Sequence, residues 1–175
     1  MAKTSGGVRK LKAGSKEYNS RMSEVDKMMS SGLYSSIDFY KSGGGYVAIE
    51  KSPLRHQQDE LDAAKVLAQN GYKVTLKNEA TDGFKIKTPD GYLFQASYEQ
   101  RTPTKNSAAT IKNALIHARD KDADIAVIYS KNRMFTRESV DKGLKLYEEK
   151  NRYRFKQIIV VSSLGNIHKH KHNDI

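Results

Sequence analysis

Two acidic side chains and one basic side chain stand near one another in the middle of the chain, at Asp90, Glu99 and Arg101. Glu99 and Arg101 are two residues apart near the end of a run that predicts a β-strand, so their side chains share one face of the predicted sheet. Carboxylate oxygens are ligands that Mg²⁺ prefers, and a neighbouring cation stabilises negative charge on phosphate. This arrangement is compatible with phosphodiester chemistry in which Asp90 and Glu99 are candidate metal ligands, and an ordinary half-exposed strand is the alternative.

Two of these assignments have competitors in the sequence. Asp82 precedes the predicted strand that begins at Gly83, and it competes with Asp90 as the second metal acid, although the spacing to Glu99 favours Asp90. Arg101 supplies positive charge but cannot be deprotonated to act as a base. Lys112, on the helix that follows, is therefore an alternative catalytic cation or base; the other interpretation is an ordinary exposed helix lysine.

Glu60 is a further candidate catalytic acid. It lies four residues before Ala64 and seven before Leu67, which places it on the apolar face of a predicted helix. A buried carboxylate is costly unless it is paired or bound to a metal. The alternative is that Glu60 only favours the helix N-terminus through the helix dipole, and the sequence leaves both interpretations open.

The elements that must position these residues follow from periodicity and turn signals. The order is α-β-β-β-α-β-α-β, with an antiparallel meander followed by buried, parallel strands. Helices are predicted over residues 57–70, 106–121 and 138–150, and strands over 73–76, 83–88, 92–101, 125–128 and 158–161, with a short strand at 47–49 and an edge strand at 166–171.

The sequence divides into a flexible basic arm or linker over residues 1–45 and an α/β domain over residues 46–175. Ser and Gly are dense before residue 46, which favours disorder for most of residues 1–30, although residues 17–29 are also compatible with a short amphipathic helix.

The charge balance points to a polyanionic partner. The 175 residues contain 31 Lys and Arg against 20 Asp and Glu, a formal net charge of +11. The net charge is +4 over residues 1–45, −1 over 46–100 and +8 over 101–175. Nucleic acid is favoured over a membrane surface, and a basic protein with solvated lysines is the alternative.

Several classes of protein are excluded by composition. The absence of cysteine excludes disulfide scaffolds, zinc fingers, Fe–S clusters and thiol nucleophiles. No stretch approaches 18 apolar residues, and the first residues lack the apolar core of a secretory signal, so we expect the protein to act in the cytoplasm and not in a membrane.

A basic segment near the C-terminus is the candidate nucleic-acid-binding surface. Its four cations alternate with two aromatic residues, Tyr153 and Phe155, so that an extended conformation would place all four on one face. A solvated entry to the strand that follows is the alternative. The four cations are Lys150, Arg152, Arg154 and Lys156.

Three histidines, His168, His170 and His172, alternate in the C-terminal tail. On a strand they would share one face, where they could bind a metal or serve as acid and base in a metal-free RNase. A frayed basic terminus is favoured over either role.

The motif residues resemble a known nuclease superfamily. Pro89-Asp90 followed by Glu99-Gln100-Arg101 resembles the PD-(D/E)xK signature of restriction-endonuclease-like nucleases, although arginine stands at the lysine position. The run through Thr102-Pro103 into an Asn- and Ser-rich helix start, together with residues 71–76, is similar to the C-terminal tRNase toxin domains of contact-dependent growth-inhibition (CdiA-type) proteins and their mobile-element relatives. The resemblance covers roughly residues 54–130.

This resemblance implies a fold, an activity and partners. The expected fold is α/β, with a restriction-endonuclease-like αβββαβ core, a mixed sheet and flanking helices. The expected activity is Mg²⁺-dependent cleavage of RNA, with tRNA favoured, by a toxin-type module that a cognate immunity protein inhibits. Related nucleases also use a glutamate of the first helix, here Glu60, at the metal site. Because the motif lysine is replaced, a non-catalytic nucleic-acid-binding or structural module of the same fold is the main alternative.

Overall fold

The computed structural model describes residues 8–52, 55–78, 88–131 and 135–172. In these residues the helices are α1 (Lys16–Ser30), α2 (Gln58–Gln69), α3 (Ala108–Asp120) and α4 (Arg137–Lys150). The strands are β1 (Tyr34–Phe39), β2 (Tyr46–Glu50), β3 (Lys73–Leu76), β4 (Gly91–Leu93), β5 (Ala96–Arg101), β6 (Ile125–Ser130), β7 (Gln157–Ser162) and β8 (Ile167–His170).

The strands form one mixed sheet in which the spatial order is the chain order, β1 to β8. The pairs β2–β3, β5–β6 and β6–β7 are parallel, and each of these connections contains a helix. The remaining neighbours are antiparallel. The predicted α/β class is confirmed. Around the predicted meander the described elements run α2, β3, β4, β5, α3 and β6, but β4 and β5 are the two halves of the single strand predicted over residues 92–101.

The N-terminal region differs from the expected flexible arm, because residues 16–39 form α1 and β1. Tyr18 and Val25 of α1 are buried, and the guanidinium of Arg21 donates to the carbonyl oxygens of Gly44 (3.1 Å) and Gly71 (2.7 Å). Strand β1 pairs with β2 along its length. A few apolar anchors and one arginine therefore order a segment whose Ser- and Gly-rich composition indicated disorder.

The predicted strand over residues 92–101 was wrong in one respect, because the chain turns back on itself at Phe94 and Gln95. The resulting hairpin pairs Tyr92 with Ser97 and Leu93 with Ala96. Paired residues share a face, so Tyr92 lies on the side of Ser97 and Glu99 and not, as predicted, on that of Tyr98. The predicted strand at 83–88 falls almost entirely on residues 83–87, outside the described residues.

Helices cover both faces of the sheet. Helix α2 packs on one face in a core with residues of β3, β6 and β7, including Leu67, Leu76 and Val127. Helices α3 and α4 pack on the other face in a second core that includes Ala126 and Ile128. Those two residues pair with Glu99 and Arg101, respectively, so the motif side chains point to the side of the sheet that α3 covers.

Candidate active site

Asp90 and Glu99 form a buried pair of carboxylates where the β4–β5 hairpin opens. Asp90 is 7% exposed and Glu99 is 5% exposed. The backbone N–H of Asp90 donates to Oε2 of Glu99 at 3.3 Å, and the backbone N–H of Gln100 donates to Oδ2 of Asp90 at 2.7 Å. The backbone beside each acid thus orients the carboxylate of the other. These hydrogen bonds hold the two carboxylates together, shielded from bulk water.

His117 of α3 joins this pair to the motif arginine. Its Nε2 lies 3.2 Å from Oε1 of Glu99, and its ring nitrogens contact Nη2 of Arg101. Partial burial lowers the pKa of His117, and the positive charges of Arg101 and Lys121 lower it further. With its pKa lowered below the usual value of 6.5, His117 is neutral at pH 7 and lies between the carboxylate of Glu99 and the guanidinium of Arg101. His117 is not among the candidate residues predicted from the sequence.

Arg101 opens onto a groove of about 350 Å³ between the end of β5 and the start of α3. The helix begins at a capping box, in which the Ser107 side chain accepts from the Thr110 N–H and Thr110 reaches back to the Ser107 N–H. This cap fixes the turn that presents the groove wall. The groove lining includes Arg101, Thr102, Pro103, Thr110, Asn113 and His117.

A divalent-cation site at these residues stays a prediction that depends on the chemistry of the two acids. Asp90 and Glu99 supply only oxygen donors, and Mg²⁺ in nucleotide-processing sites is commonly held by one or two carboxylates together with substrate phosphate and water. Among the described residues, no group of three His, Cys, Asp or Glu side chains is placed to hold a metal ion. Asp82, the alternative acid, lies outside the described residues, so the choice between Asp82 and Asp90 stays a prediction.

Glu60 and Lys112 lie apart from the contacts described above. Glu60, in the first turn of α2, has its Oε2 3.1 Å from Nδ1 of His56, on the face of the sheet opposite α3. The N-terminal turn of α2 lies at the same end of the strands as the C-terminus of β5. This follows because α2 comes after β2, and β2, β3 and β5 all run in the same direction. Lys112 is half-buried on α3 and is not part of the groove lining. Their roles in the site stay predictions.

The predicted basic surface is only partly extended. Lys150 ends α4, and residues 151–156 have no regular secondary structure. Arg154 donates to the carbonyl oxygen of Asn151 at 2.6 Å, and Nζ of Lys156 lies 3.6 Å from Asp124. Arg152 is exposed. This segment precedes β7, so it lies at the end of the strands opposite to Arg101. The two regions are therefore separated by the length of the strands and do not adjoin in one cleft.

The C-terminal histidines are ordered in the described part of the tail, in contrast to the favoured frayed terminus. His168 and His170 belong to β8 and share a face. His172 accepts from the Phe155 N–H at Nε2 (2.9 Å), and its Nδ1 lies 3.3 Å from Glu148. Burial lowers the pKa of His172 despite that carboxylate. His172 is thus committed to local contacts, whereas His168 and His170 face a cavity.

Comparison with known proteins gives one structural likeness. The sequence matches no protein-family model and no curated protein. Among solved structures, the chain is similar to one from the "CdiA-CT/CdiI toxin and immunity complex from Burkholderia pseudomallei", with 18% identity and a TM-score of 0.49 over 68% of this chain and 91% of that chain. A likeness of this extent assigns neither an activity nor a partner, and membership of the PD-(D/E)xK superfamily stays a prediction.

Membrane insertion finds no support in the helices. None of the helices in the described residues is long and apolar enough to cross a bilayer.

Proposed function

We propose that this protein is a metal-dependent endonuclease that cleaves RNA phosphodiesters, in the manner of a toxin-type effector module. One observation carries the proposal: the buried Asp90–Glu99 pair is linked through His117 to Arg101, and Arg101 opens onto a groove. Two acids and a cation are the combination that phosphodiester cleavage needs; here the acids are buried behind the groove, and Arg101 and His117 are the members of the cluster that line it.

Each residue has a distinct part in this chemistry. Asp90 and Glu99 would hold Mg²⁺, which lowers the pKa of bound water and polarises a phosphate oxygen. Arg101 would neutralise the charge that develops on the phosphate through its guanidinium group. His117 would act as a positioning residue, since its neutral ring contacts both Glu99 and Arg101.

RNA is favoured as the substrate by charge and by resemblance. The net charge of +8 over residues 101–175 supports binding to a phosphate backbone. The preference for tRNA and the cognate immunity protein enter the proposal only through the sequence resemblance to toxin domains. Action in the cytoplasm, where RNA is accessible, belongs to the same proposal.

The test is incubation of the purified protein with total RNA and, separately, with plasmid DNA, each with Mg²⁺ and with EDTA. We expect cleavage of RNA that requires Mg²⁺. RNA cleavage that persists in EDTA would contradict the metal site and would favour the metal-free mechanism through histidines.

A second candidate function is a nucleic-acid-binding module without activity. The observation that favours it is Arg101 at the position where the resembled motif has lysine, since arginine cannot act as a base. RNA binding with no cleavage under Mg²⁺, Mn²⁺ or Ca²⁺ would support this alternative over the nuclease.

A further inference from the structure

A second cavity, separate from the groove at Arg101, lies between the start of α4 and the edge strand β8. Its volume is about 650 Å³, within the range of small-ligand sites. Val140 and Val160 form an apolar part of the lining, and Phe135 adds an aromatic ring. The remaining lining is polar and largely basic, and it includes Arg137, His168 and His170.

The basic side of this cavity is built by strand register. His168 pairs with Val160 and His170 with Ile158, and both partners belong to the core under α3 and α4. The two imidazoles therefore face α4. The side chain of His170 is 13% exposed, and its Nδ1 lies 3.7 Å from Asp141 at the rim. Burial lowers the pKa of His170, the carboxylate of Asp141 raises it, and His168 and Arg137 lower it.

The cavity is also tied to the candidate active site. The hydroxyl of Ser139, in the first turn of α4, donates to Oδ1 of Asn106 at 2.8 Å. Asn106 lies in the loop between β5 and α3, next to the residues that line the groove at Arg101. Strands β5 and β8 are three positions apart in the sheet, a distance of roughly 14 Å at about 4.8 Å per strand. The groove and the cavity thus lie on the same side of the sheet, separated across the strands by about that distance.

We propose that the cavity binds a nucleotide that flanks the cleaved bond, with its phosphate on Arg137 and His168 and its base against Phe135 and the two valines. The guanidinium of Arg137, which is 91% exposed with its Nε 3.9 Å from Asp141, and the imidazole of His168 border an apolar and aromatic floor. These two kinds of surface match the phosphate and the base of a nucleotide. This inference rests on the proposed function, because it deepens the description of how the same RNA substrate is held.

The first arm of the test measures nucleotide binding without cleavage. Adenosine 5′-monophosphate is titrated into the intact protein while the imidazole C–H resonances of His168 and His170 are followed by NMR. We expect a saturable shift that is lost in Arg137→Ala and in His168→Gln. Lys142→Ala is the matched control, because Lys142 is an exposed lysine of α4 that pairs with Glu138 away from the cavity. Absence of a saturable shift in the wild type would overturn the inference.

The second arm measures RNA cleavage by the same variants. Loss of a charge-assisted contact to phosphate should raise KM about tenfold in Arg137→Ala, with kcat little changed. Nucleotide binding in the first arm combined with an unchanged KM would overturn the flanking role and leave the nuclease intact. If the wild type cleaves no RNA, the proposed function fails, and the first arm still decides whether the cavity takes a nucleotide.

Discussion

Two arginines at opposite edges of the sheet have different surroundings. Arg101 ends β5, contacts a neutral histidine and borders an open groove. Arg154 precedes β7 and donates to the carbonyl oxygens of Asn151 and Tyr153 in its own segment. Arg101 is thus placed to act on a ligand, whereas Arg154 satisfies backbone acceptors. The comparison teaches that a run of cations in the sequence does not identify the cations that are available for chemistry.

Among the changes that test this comparison, replacement of the two arginines by alanine is expected to have the largest effect on activity and stability. Arg101→Ala should lower kcat by about 10² to 10³-fold, comparable to removal of one oxyanion donor, and Arg101→Lys should keep much of the activity because the charge survives. Arg154→Ala should leave kcat unchanged and lower the free energy of unfolding by about 1 kcal/mol. Steady-state cleavage and urea unfolding measure the two effects. A greater loss of activity in Lys112→Ala than in Arg101→Ala would assign the cationic role to Lys112.

A smaller effect is expected from the residue that positions Arg101. His117→Ala should lower activity by about 10- to 100-fold, as for partners that orient metal ligands, and it should raise the Mg²⁺ concentration that gives the half-maximal rate. His172→Gln serves as the control, because His172 contacts Glu148 and Phe155 outside the groove. An unchanged Mg²⁺ dependence in His117→Ala would show that the histidine does not support the carboxylates.

Arg152, one of the exposed cations of the basic segment, should contribute only to binding. Arg152→Ala should weaken binding of single-stranded RNA about equally for all sequences and should reduce the log–log salt slope by roughly 0.7 if one phosphate contact is lost. Lys145→Ala is the control, because Lys145 is an exposed lysine of α4 outside the basic segment. Fluorescence anisotropy over a range of salt concentrations measures both. A salt slope identical to that of the wild type would remove Arg152 from the binding surface.

The smallest effect is expected on the pH dependence of stability. Burial lowers the pKa values of His117, His170 and His172 in the folded protein, so the unfolded chain takes up protons first as the pH falls. The stabilisation of the folded protein by these three histidines is fully present above the unfolded pKa of about 6.5, and it decreases as the pH falls below that value. Urea midpoints should therefore be higher at pH 7.5 than at pH 5.5, and His172→Gln should reduce the difference. A higher midpoint at pH 5.5 would contradict this assignment.

The sequence predicted those elements whose signals are local. The stripe of Ile111, Ala114, Leu115 and Ala118 predicted α3, and the continuous apolar runs predicted β6 and β7 as buried parallel strands; all are confirmed. The turn at Phe94 escaped prediction because it has a positive φ of 55° without the usual glycine or asparagine. Its ring lies below the cations of Arg21 and Lys73, contacts that come from distant parts of the chain.

The candidate site was predictable only where it depends on a short spacing. The shared face of Glu99 and Arg101 follows from strand alternation. The link through His117 depends on how α3 packs beside β5, which no local pattern encodes. One pattern in the sequence could have pointed to His117. Asn113 and His117 are one helical turn apart, on a face of α3 that its buried apolar residues do not occupy. For the same reason, the sequence did not show that Arg154 and Lys156 of the basic segment already contact neighbouring groups of the protein.

The most direct measurement is the single-turnover cleavage of labelled RNA by Glu99→Gln, with protein in excess so that binding does not limit the rate. Glutamine keeps the size of the side chain but is a poor ligand for Mg²⁺. We predict that RNA affinity is retained and cleavage is lost, while Glu149→Gln, at an exposed glutamate of α4, cleaves at the wild-type rate. Cleavage by Glu99→Gln at the wild-type rate would contradict the proposed metal site.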